Sequence, residues 1–266
     1  MGAVRAQLLL FPLRRAIAPA VGAIAVVAVW QVVVRGFHIG TFLLPAPSGI
    51  GRALVHDWTP VSHGAYITLK EVLLGILLGT ASGVATALVI ARFRNVATPL
   101  LAVAVVINCA PIVALAPIAN NWFGVTTSVS KAAVAAVMVF FPVMVNTTRG
   151  LIEIGHTHED VMTSVAATQW QTLRYVRLPH CLPYLFTALR LGTTLSIIGV
   201  IVTEYFGGRA DALGVYIAQM AALTRYPDAW AGIVIASGMG LSLFAAVVVL
   251  ERVLIPWYHE HEIQTS

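Results

Sequence analysis

The chain has 266 residues, of which 59% are apolar and only 10% are charged, and its formal net charge is +5. Soluble domains carry about 25% charged residues, so this composition excludes an ordinary soluble domain and indicates a polytopic membrane protein. We attribute the positive charge to membrane topology, and we expect no nucleic-acid binding.

Six stretches approach the length of about 20 apolar residues that a membrane-spanning helix needs. In chain order they are Ala16–Val34, Val72–Ala91, Ala97–Ile118, Ser130–Val145, Leu182–Val202 and Trp230–Leu250. The fourth is the weakest, because it is short and Lys131 lies at its start. We predict an all-α polytopic protein with about six transmembrane helices, forming one membrane domain over residues 16–250 between tails at 1–15 and 251–266.

Basic residues in the loops predict the orientation of the chain. Most of the 16 Arg and Lys residues fall on the side that holds both termini and the loop at 148–181. By the positive-inside rule that side is cytoplasmic. Opposite it, Pro45 and Pro47 precede a short amphipathic helix predicted over 49–57 on the outer membrane face. The glycines of the second span predict close helix packing.

A polar, amphipathic stretch separates the fourth span from the fifth. Asp160 can cap a short helix there, because its carboxylate would accept the free N–H groups of the first turn. Helical spacing places an apolar face on Val161, Met162, Val165 and Ala166. This face either fills a groove on a partner or folds back on the bundle, and the pattern alone favours neither.

A second short helix is predicted over residues 169–177. It would present Trp170, Leu173 and Val176, and Pro179 would end it. Further along the chain, Asn108 and Pro111 in the third span and Ser196, Thr203 and Glu204 in the fifth are polar or kink-forming residues within apolar helices. They are candidates for a translocation pathway, and each could equally be an interhelical packing or hydrogen-bonding residue.

Several motifs occur in the order found in one family of transport proteins. They are Leu44–Ser48, Ala110–Pro117, Trp122–Gly124, Phe141-Pro142 with Asn146, Arg174–Gly192, and Glu204–Gly208 with Leu213-Gly214. From Leu44 to Trp257 the chain resembles type I ABC importer permeases of the nitrate/sulfonate/taurine branch. The motifs around Asn120 and Glu204 look most like permeases for thiamine-pyrimidine precursors or riboflavin.

The resemblance implies a type I permease fold in the plasma (inner) membrane of a prokaryote, with the loop at about 156–179 as the cytoplasmic coupling loop. The residues implied to dock on an ABC ATPase dimer are Asp160, Val161, Met162, Val165, Ala166, Ala167, Trp170, Leu178 and Pro179. It also implies a periplasmic or lipid-anchored substrate-binding protein and a second copy of the chain as partners. Ala166 replaces the usual glycine, so we expect the loop to turn differently here.

The sequence contains no phosphate-binding Gly-x-x-x-x-Gly-Lys-Ser/Thr motif, since its only lysines are Lys70 and Lys131. We therefore expect ATP and Mg²⁺ to bind the partner ATPase and no cofactor to bind this chain. Two acidic, His-containing runs, at 156–160 and 259–262, favour solvated surface over a metal site, and no nucleophile–base arrangement indicates catalysis.

Two alternatives remain from the residues alone. An ion-coupled secondary transporter would carry ionisable groups within its spans, and Glu204 is the one acidic candidate. As for the cargo, two copies of Glu204 facing one pathway would disfavour anions. We therefore predict a neutral or cationic heterocycle, such as a pyrimidine precursor of thiamine or riboflavin, over nitrate, sulfonate or taurine.

Overall fold

A computed structural model of the chain describes residues 21–93, 99–102, 106 and 114–256, and of residues 156–159 the backbone alone. The regular elements of this part are helices. In chain order they are α1 (Val21–Gly36), α2 (Pro47–His56), α3 (Trp58–Arg92), α4 (Leu115–Phe123), α5 (Ser128–Ile152), α6 (His156–Ser164), α7 (Gln169–Thr172), α8 (Leu178–Tyr205), α9 (Leu213–Ala222) and α10 (Tyr226–Leu254). A π-helical turn, Leu173–Arg177, joins α7 to α8.

Four of these helices are long and apolar enough to cross a membrane. They are α3 with 35 residues, α5 with 25, the continuous stretch Gln169–Tyr205 with 37, and α10 with 29. The described part of α1 is a shorter apolar helix. Most of the predicted third span, with Asn108 and Pro111, lies outside the described residues. The prediction of an all-α polytopic membrane protein is confirmed.

Three predicted span boundaries were wrong. Helix α3 begins at Trp58 rather than near Val72, because residues such as Val61 and Ile67 are buried and extend its packing beyond the apolar stretch. Helix α5, the weakest predicted span at Ser130–Val145, runs from Ser128 to Ile152, because it packs against both α3 and α8 at the centre of the bundle. Helix α10 continues past residue 250, where Glu251 is buried and pairs with Arg190 of α8.

Glycines place α3 directly against α5, as the sequence predicted. Gly75, Gly79 and Gly83 recur every fourth residue on one face of α3. A Cβ atom added at Gly79 would lie 2.6 Å from the carbonyl oxygen of Ala136 and 2.7 Å from Cβ of Val139. The two backbones are therefore in contact, which is a common way for helices to associate in lipid. The residues of α5 that contact the three glycines follow the same order along the chain as the glycines do, so α3 and α5 are parallel. Helix α8 runs antiparallel to both.

The bundle consequently has two ends. The coupling side is the end at which α3 and α5 finish and α6 and α7 lie, and the far side is the opposite end. On the far side Asp57, between α2 and α3, accepts hydrogen bonds of 3.0 Å from Tyr216 and from Arg225. Partial burial alone would raise the pKa of Asp57, but the bonds from His56 and Tyr216 and the charge of Arg225 lower the pKa below its ordinary value. This network joins α2 and α3 to α9 and α10.

Candidate functional site

The coupling segment, residues 156–179, begins with α6. The helix starts after Gly155, so Asp160 lies within it and does not cap it. The predicted cap was wrong because helical backbone begins about one turn earlier than the apolar pattern does. The Asp160 side chain is exposed, which leaves it available to a partner.

The apolar face of α6 is open to the surroundings. Val161 is 56% exposed and Val165 is 66% exposed, and Trp170 of α7, the next helix, is 65% exposed. Met162 and Ala167 are half-buried. Three large apolar side chains therefore project from one short segment and are not folded back on the bundle. An exposed apolar cluster of this kind is typical of an interaction surface.

The turn after α6 has the geometry that a glycine would give, although Ala166 occupies it. The N–H of Ala167 donates to the carbonyl of Met162 at 2.9 Å, and the N–H of Ala166 donates to that of Thr163 at 3.0 Å. This pair of bonds closes a helix with a Schellman motif. Ala166 has a φ of 51°, in the left-handed region. The expectation that alanine makes the loop turn differently was wrong: the turn is kept, at a conformational cost.

We predict that Ala166→Gly stabilises the protein. A left-handed φ costs an alanine about 1 kcal/mol, and the greater freedom of glycine in the unfolded chain offsets part of that gain. A melting-temperature increase of about 1–3 °C in detergent is expected. Ala167→Gly is the matched control, since Ala167 has no positive φ, and it should lower the melting temperature. An equal effect of both substitutions would contradict strain at Ala166.

The second half of the coupling segment continues into a membrane-spanning helix. Thr168 and Gln171 form a reciprocal capping box at the start of α7. The N–H of Leu178 donates to the carbonyl of Leu173, which closes the π turn, and Pro179 lies in the first turn of α8. Pro179 therefore does not end a helix as predicted, because a proline in the first turn of the new α-helical segment leaves no essential bond unmade.

Leu173 anchors this continuous helix to the bundle. It packs against a buried cluster that contains Leu151 of α5 and Ala91 of α3. Val176 is half-buried, and Leu178 is 37% exposed. The predicted apolar face of the second helix is thus divided, with Trp170 outside and Leu173 inside. Because Leu173 is packed inside, the exposed surface that includes Trp170 is held in a fixed position relative to the membrane helices.

A second polar site lies inside the bundle, towards the far side. We call it the buried polar cluster and define it as Thr68, Glu71, Asn120, Lys131 and Glu204. All five side chains are at most 3% exposed. In the low dielectric of such a site each polar group requires a partner, so the cluster constrains the helices that carry it.

Glu204 joins three helices within this cluster. One carboxylate oxygen accepts a 2.7 Å hydrogen bond from Thr68 of α3, and the other accepts a 2.7 Å bond from the N–H of Gly214 in α9. The Thr68 hydroxyl in turn accepts from the N–H of Leu213 at 3.2 Å. Glu204 therefore fixes the start of α9 against α3 and α8.

Asn120 and Lys131 form the other half of the cluster. The ammonium group of Lys131 donates to Asn120 at 3.1 Å, to Ser130 at 3.1 Å and to the carbonyl oxygen of Val125. Asn120 donates to the carbonyl oxygens of Thr203 at 3.1 Å and Gly207 at 3.0 Å. Three neutral oxygens thus bond to the buried ammonium group, and the carboxyl groups of Glu71 and Glu204 in the same cluster balance its charge, so Lys131 is compatible with the membrane helix α5.

The described pathway candidates proved to be internal. Ser196 is buried and donates to the carbonyl oxygen of Val72 at 3.1 Å, and the buried Thr203 hydroxyl bonds within its own helix to Gly199. Glu204 has no exposed surface. The charge argument built on Glu204 was therefore wrong, since its carboxylate is enclosed by the bundle and does not face a mouth. Asn108 and Pro111 stay untested, because they lie outside the described residues.

Sequence reasoning missed Glu71, Asn120 and Lys131. Glu71 immediately precedes the apolar stretch that predicts the second span, so hydropathy places it in a loop. A helical extension of that span by one turn would have placed both Glu71 and Thr68 on its buried face. From the sequence, Lys131 indicates only a weak span.

Two further structural features concern ligand binding and metal binding. A groove of about 680 Å³ lies between α8, α9 and α10, and its lining is apolar apart from Thr194 and Ser237. No three His, Cys, Asp or Glu side chains converge as metal ligands among the described residues. The side chains of 156–159 and the run at 259–262 are outside that description.

Comparisons with known proteins match the chain to a family of membrane transport proteins. Residues 72–259 match the family described as "Binding-protein-dependent transport system inner membrane component". The chain is 30% identical over 246 residues to the formylaminopyrimidine transport permease protein ThiX of Halalkalibacterium halodurans, covering 91% of this chain and 96% of that protein. It is 29% identical to the riboflavin transport system permease protein RibX of Chloroflexus aurantiacus, covering 86% and 85%. More distant relatives are named for aliphatic sulfonate and taurine transport.

The fold comparison gives the same architecture. A solved structure described as an amino acid ABC transporter with histidines superposes with a TM-score of 0.59 at 18% identity, covering 75% of this chain and 96% of that one. At that identity the likeness shows the fold alone, and the family match carries the assignment. The chain therefore belongs to the inner-membrane components of binding-protein-dependent transport systems and is a permease subunit of an ABC importer.

Proposed function

We propose that two identical copies of this chain form the membrane pathway of an ATP-driven importer for a small heterocyclic molecule, such as a pyrimidine precursor of thiamine or a flavin. The names of the two relatives at 30% and 29% identity support this cargo. The alternative cargo is nitrate, sulfonate or taurine. Membership of the importer family removes the ion-coupled secondary transporter from consideration.

The observation that carries the mechanism is the open apolar face of the coupling segment. Val161, Val165 and Trp170 present an apolar surface large enough to enter a groove on another protein. Because the sequence contains no phosphate-binding loop, we assign ATP binding and hydrolysis to a separate ATPase dimer that docks on this face. The coupling side is then cytoplasmic, with both chain termini, and a substrate-binding protein delivers cargo to the far side.

Movement of the docked segment can open the bundle as a rigid-body change. The ATPase dimer closes when it binds ATP and draws the two coupling segments together. In each copy the segment is continuous with α8, and the buried polar cluster joins α8 to α3, α4 and α9, and α4 to α5, on the far side. These contacts support alternating access between two rigid arrangements of the pair.

Uptake measurements will distinguish the two cargo classes. The chain, its ATPase and the binding protein should be reconstituted in liposomes and given hydroxymethylpyrimidine, formylaminopyrimidine and riboflavin beside taurine, an alkanesulfonate and nitrate. We expect ATP-dependent uptake of one of the heterocycles and none of the anions. Liposomes without the binding protein are the control. Uptake of anions alone would refute the heterocycle and leave the importer assignment intact.

Co-expression of two differently tagged copies will test whether two identical chains form the pathway. When two tagged forms are co-expressed in equal amounts and the complex is purified on one tag, about two thirds of the purified complexes should carry the other tag, because random pairing gives mixed and like pairs in a ratio of about 2:1 among those that hold the first tag. As a control for exchange of subunits after lysis, the two tagged forms are expressed in separate cells and mixed only after the cells are broken. Recovery of a single tag with a different permease in equal amount would show that the pathway is a heterodimer.

A further inference from the structure

A groove of about 650 Å³ runs along α1 at the place where this helix meets the start of α2. Its wall is apolar and is formed by Ala23, Ile24, Val27, Ala28 and Pro47. At its far-side end the lining becomes polar, with Gln31, Arg35 and Ser48. The groove therefore has an apolar length and one polar end, and its volume is within the range of small-ligand sites.

Two arginines bond to Ser48 at the polar end: Arg35 lines the groove itself, and Arg52 lies one helical turn further along α2. Arg35 donates to the hydroxyl of Ser48 at 3.0 Å, and Nε of Arg52 donates to the carbonyl oxygen of the same residue at 3.3 Å. Gln31 holds Ser48 in place, accepting from its N–H at 3.0 Å and donating to its hydroxyl at 3.2 Å. Each guanidinium group has five N–H donors, so most donors of both arginines stay available to a ligand.

These two arginines differ from the other far-side arginines. Arg209 pairs with Asp211, and Arg225 pairs with Asp57 and Asp228, each at 3.0 Å. Within the described part of the chain neither Arg35 nor Arg52 has a carboxylate partner at ion-pair distance. The end of the groove thus carries uncompensated positive charge that favours an anion with several acceptor oxygens.

The position of the groove indicates that this anion is part of a lipid. Ile24 is 68% exposed on α1, and its apolar surroundings place this wall at the depth of the hydrocarbon chains. Trp30 of α1 stacks edge-on against Trp230 at the start of α10, with ring centroids 5.7 Å apart, at the level where tryptophans mark a membrane interface. A free phosphate ion or an acidic side chain of a partner would need the arginines but not the apolar wall.

We propose that this groove binds an anionic phospholipid, with its phosphate on Arg35 and Arg52 and an acyl chain along the α1 wall. The bidentate geometry of guanidinium suits the two free oxygens of a phosphodiester. A zwitterionic headgroup fits less well, because its ammonium group would lie beside two arginines. The lipid would hold α1 to the bundle, which α1 otherwise contacts through Gln31, Trp30 and their neighbours.

Lipid titration of the purified importer complex tests the proposal. Phosphatidylglycerol and phosphatidylcholine should be added separately to delipidated complex in detergent, and bound lipid counted by native mass spectrometry. We expect tighter binding of phosphatidylglycerol. Because a basic residue near an anionic headgroup contributes about a fivefold factor in affinity, Arg35→Gln with Arg52→Gln should weaken that binding by about 25-fold.

Two further variants separate the charge from the groove. Arg209→Gln removes one positive charge on the far side that is not part of the groove lining, and it should leave phosphatidylglycerol binding unchanged. Ala28→Phe fills the exposed apolar wall without changing charge, and it should weaken binding too. Equal binding of both lipids, an equal effect of Arg209→Gln, or full competition by glycerol phosphate without acyl chains would overturn the proposal.

Discussion

Replacing Val165 with glutamate should uncouple ATP hydrolysis from transport while the chain stays folded in the membrane. Val165 is 66% exposed in this chain, so a charge there costs the isolated permease little. In the complex the same carboxylate would be buried without a partner in an apolar groove, at a cost of several kcal/mol. Loss of an apolar anchor at such a contact weakens binding by about 30-fold or more.

The measurement is substrate-stimulated ATPase activity and uptake in proteoliposomes, with melting temperature as the test of folding. Ser164→Glu is the matched control, since it adds the same charge to the next exposed position of α6 but away from the apolar face. The control should retain activity. Normal uptake by a variant carrying glutamate at both Val161 and Val165 would show that this face does not dock on the ATPase.

Replacing Glu204 with alanine should cause the largest loss of stability of any single change considered. The substitution leaves the hydroxyl of Thr68 and the N–H of Gly214 buried without their acceptor, and it opens a cavity between three helices. Each buried polar group left without an acceptor costs about 1–3 kcal/mol, and with the cavity the loss should reach about 3–5 kcal/mol. In detergent this corresponds to a fall of about 10 °C in melting temperature.

Two further variants provide reference values for the loss of melting temperature. Glu204→Gln keeps the shape and one acceptor oxygen for Gly214, so its loss should be about half as large. Asp211→Ala removes an exposed carboxylate on the same side of the bundle and should change the melting temperature by no more than about 1–2 °C. Wild-type melting of the alanine variant would mean that Glu204 does not hold these helices together.

The coupling segment was predictable from sequence because its signal is local. Apolar residues at helical spacing in a polar loop indicate a helix wherever the rest of the chain lies. The pattern left open whether the apolar face is exposed or folds back on the bundle, and the structure shows Val161 and Val165 exposed. The turn at Ala166 was not predictable from its residue type. Backbone hydrogen bonds at the end of α6 outweigh the preference of alanine for negative φ.

The buried polar cluster was not predictable, because it depends on contacts between distant parts of the chain. Glu204 and Thr68 are separated by 136 positions, and Asn120 meets Thr203 across 83. Hydropathy classifies each of these residues alone and counts it against a membrane helix. The stabilising hydrogen bonds exist only after α3, α4, α5 and α8 have packed, so a single-residue scale gives them no weight.

Continuous helix from Gln169 to Tyr205 connects the coupling side directly to the far side, with a π turn and Pro183 inside it. Its 37 residues span about 55 Å, from the exposed Trp170 at one end to the anchor at Glu204 at the other. If the far end acts as the pivot, a tilt of about 5° displaces the coupling end by about 5 Å, a distance similar to one helical turn. A proline that ended the helix at residue 179 would have placed a flexible joint between the coupling segment and the membrane-spanning helix α8. The π turn replaces that joint with continuous helix, so in the proposed importer a displacement of the coupling segment would be passed to the far side through helix and not through a loop.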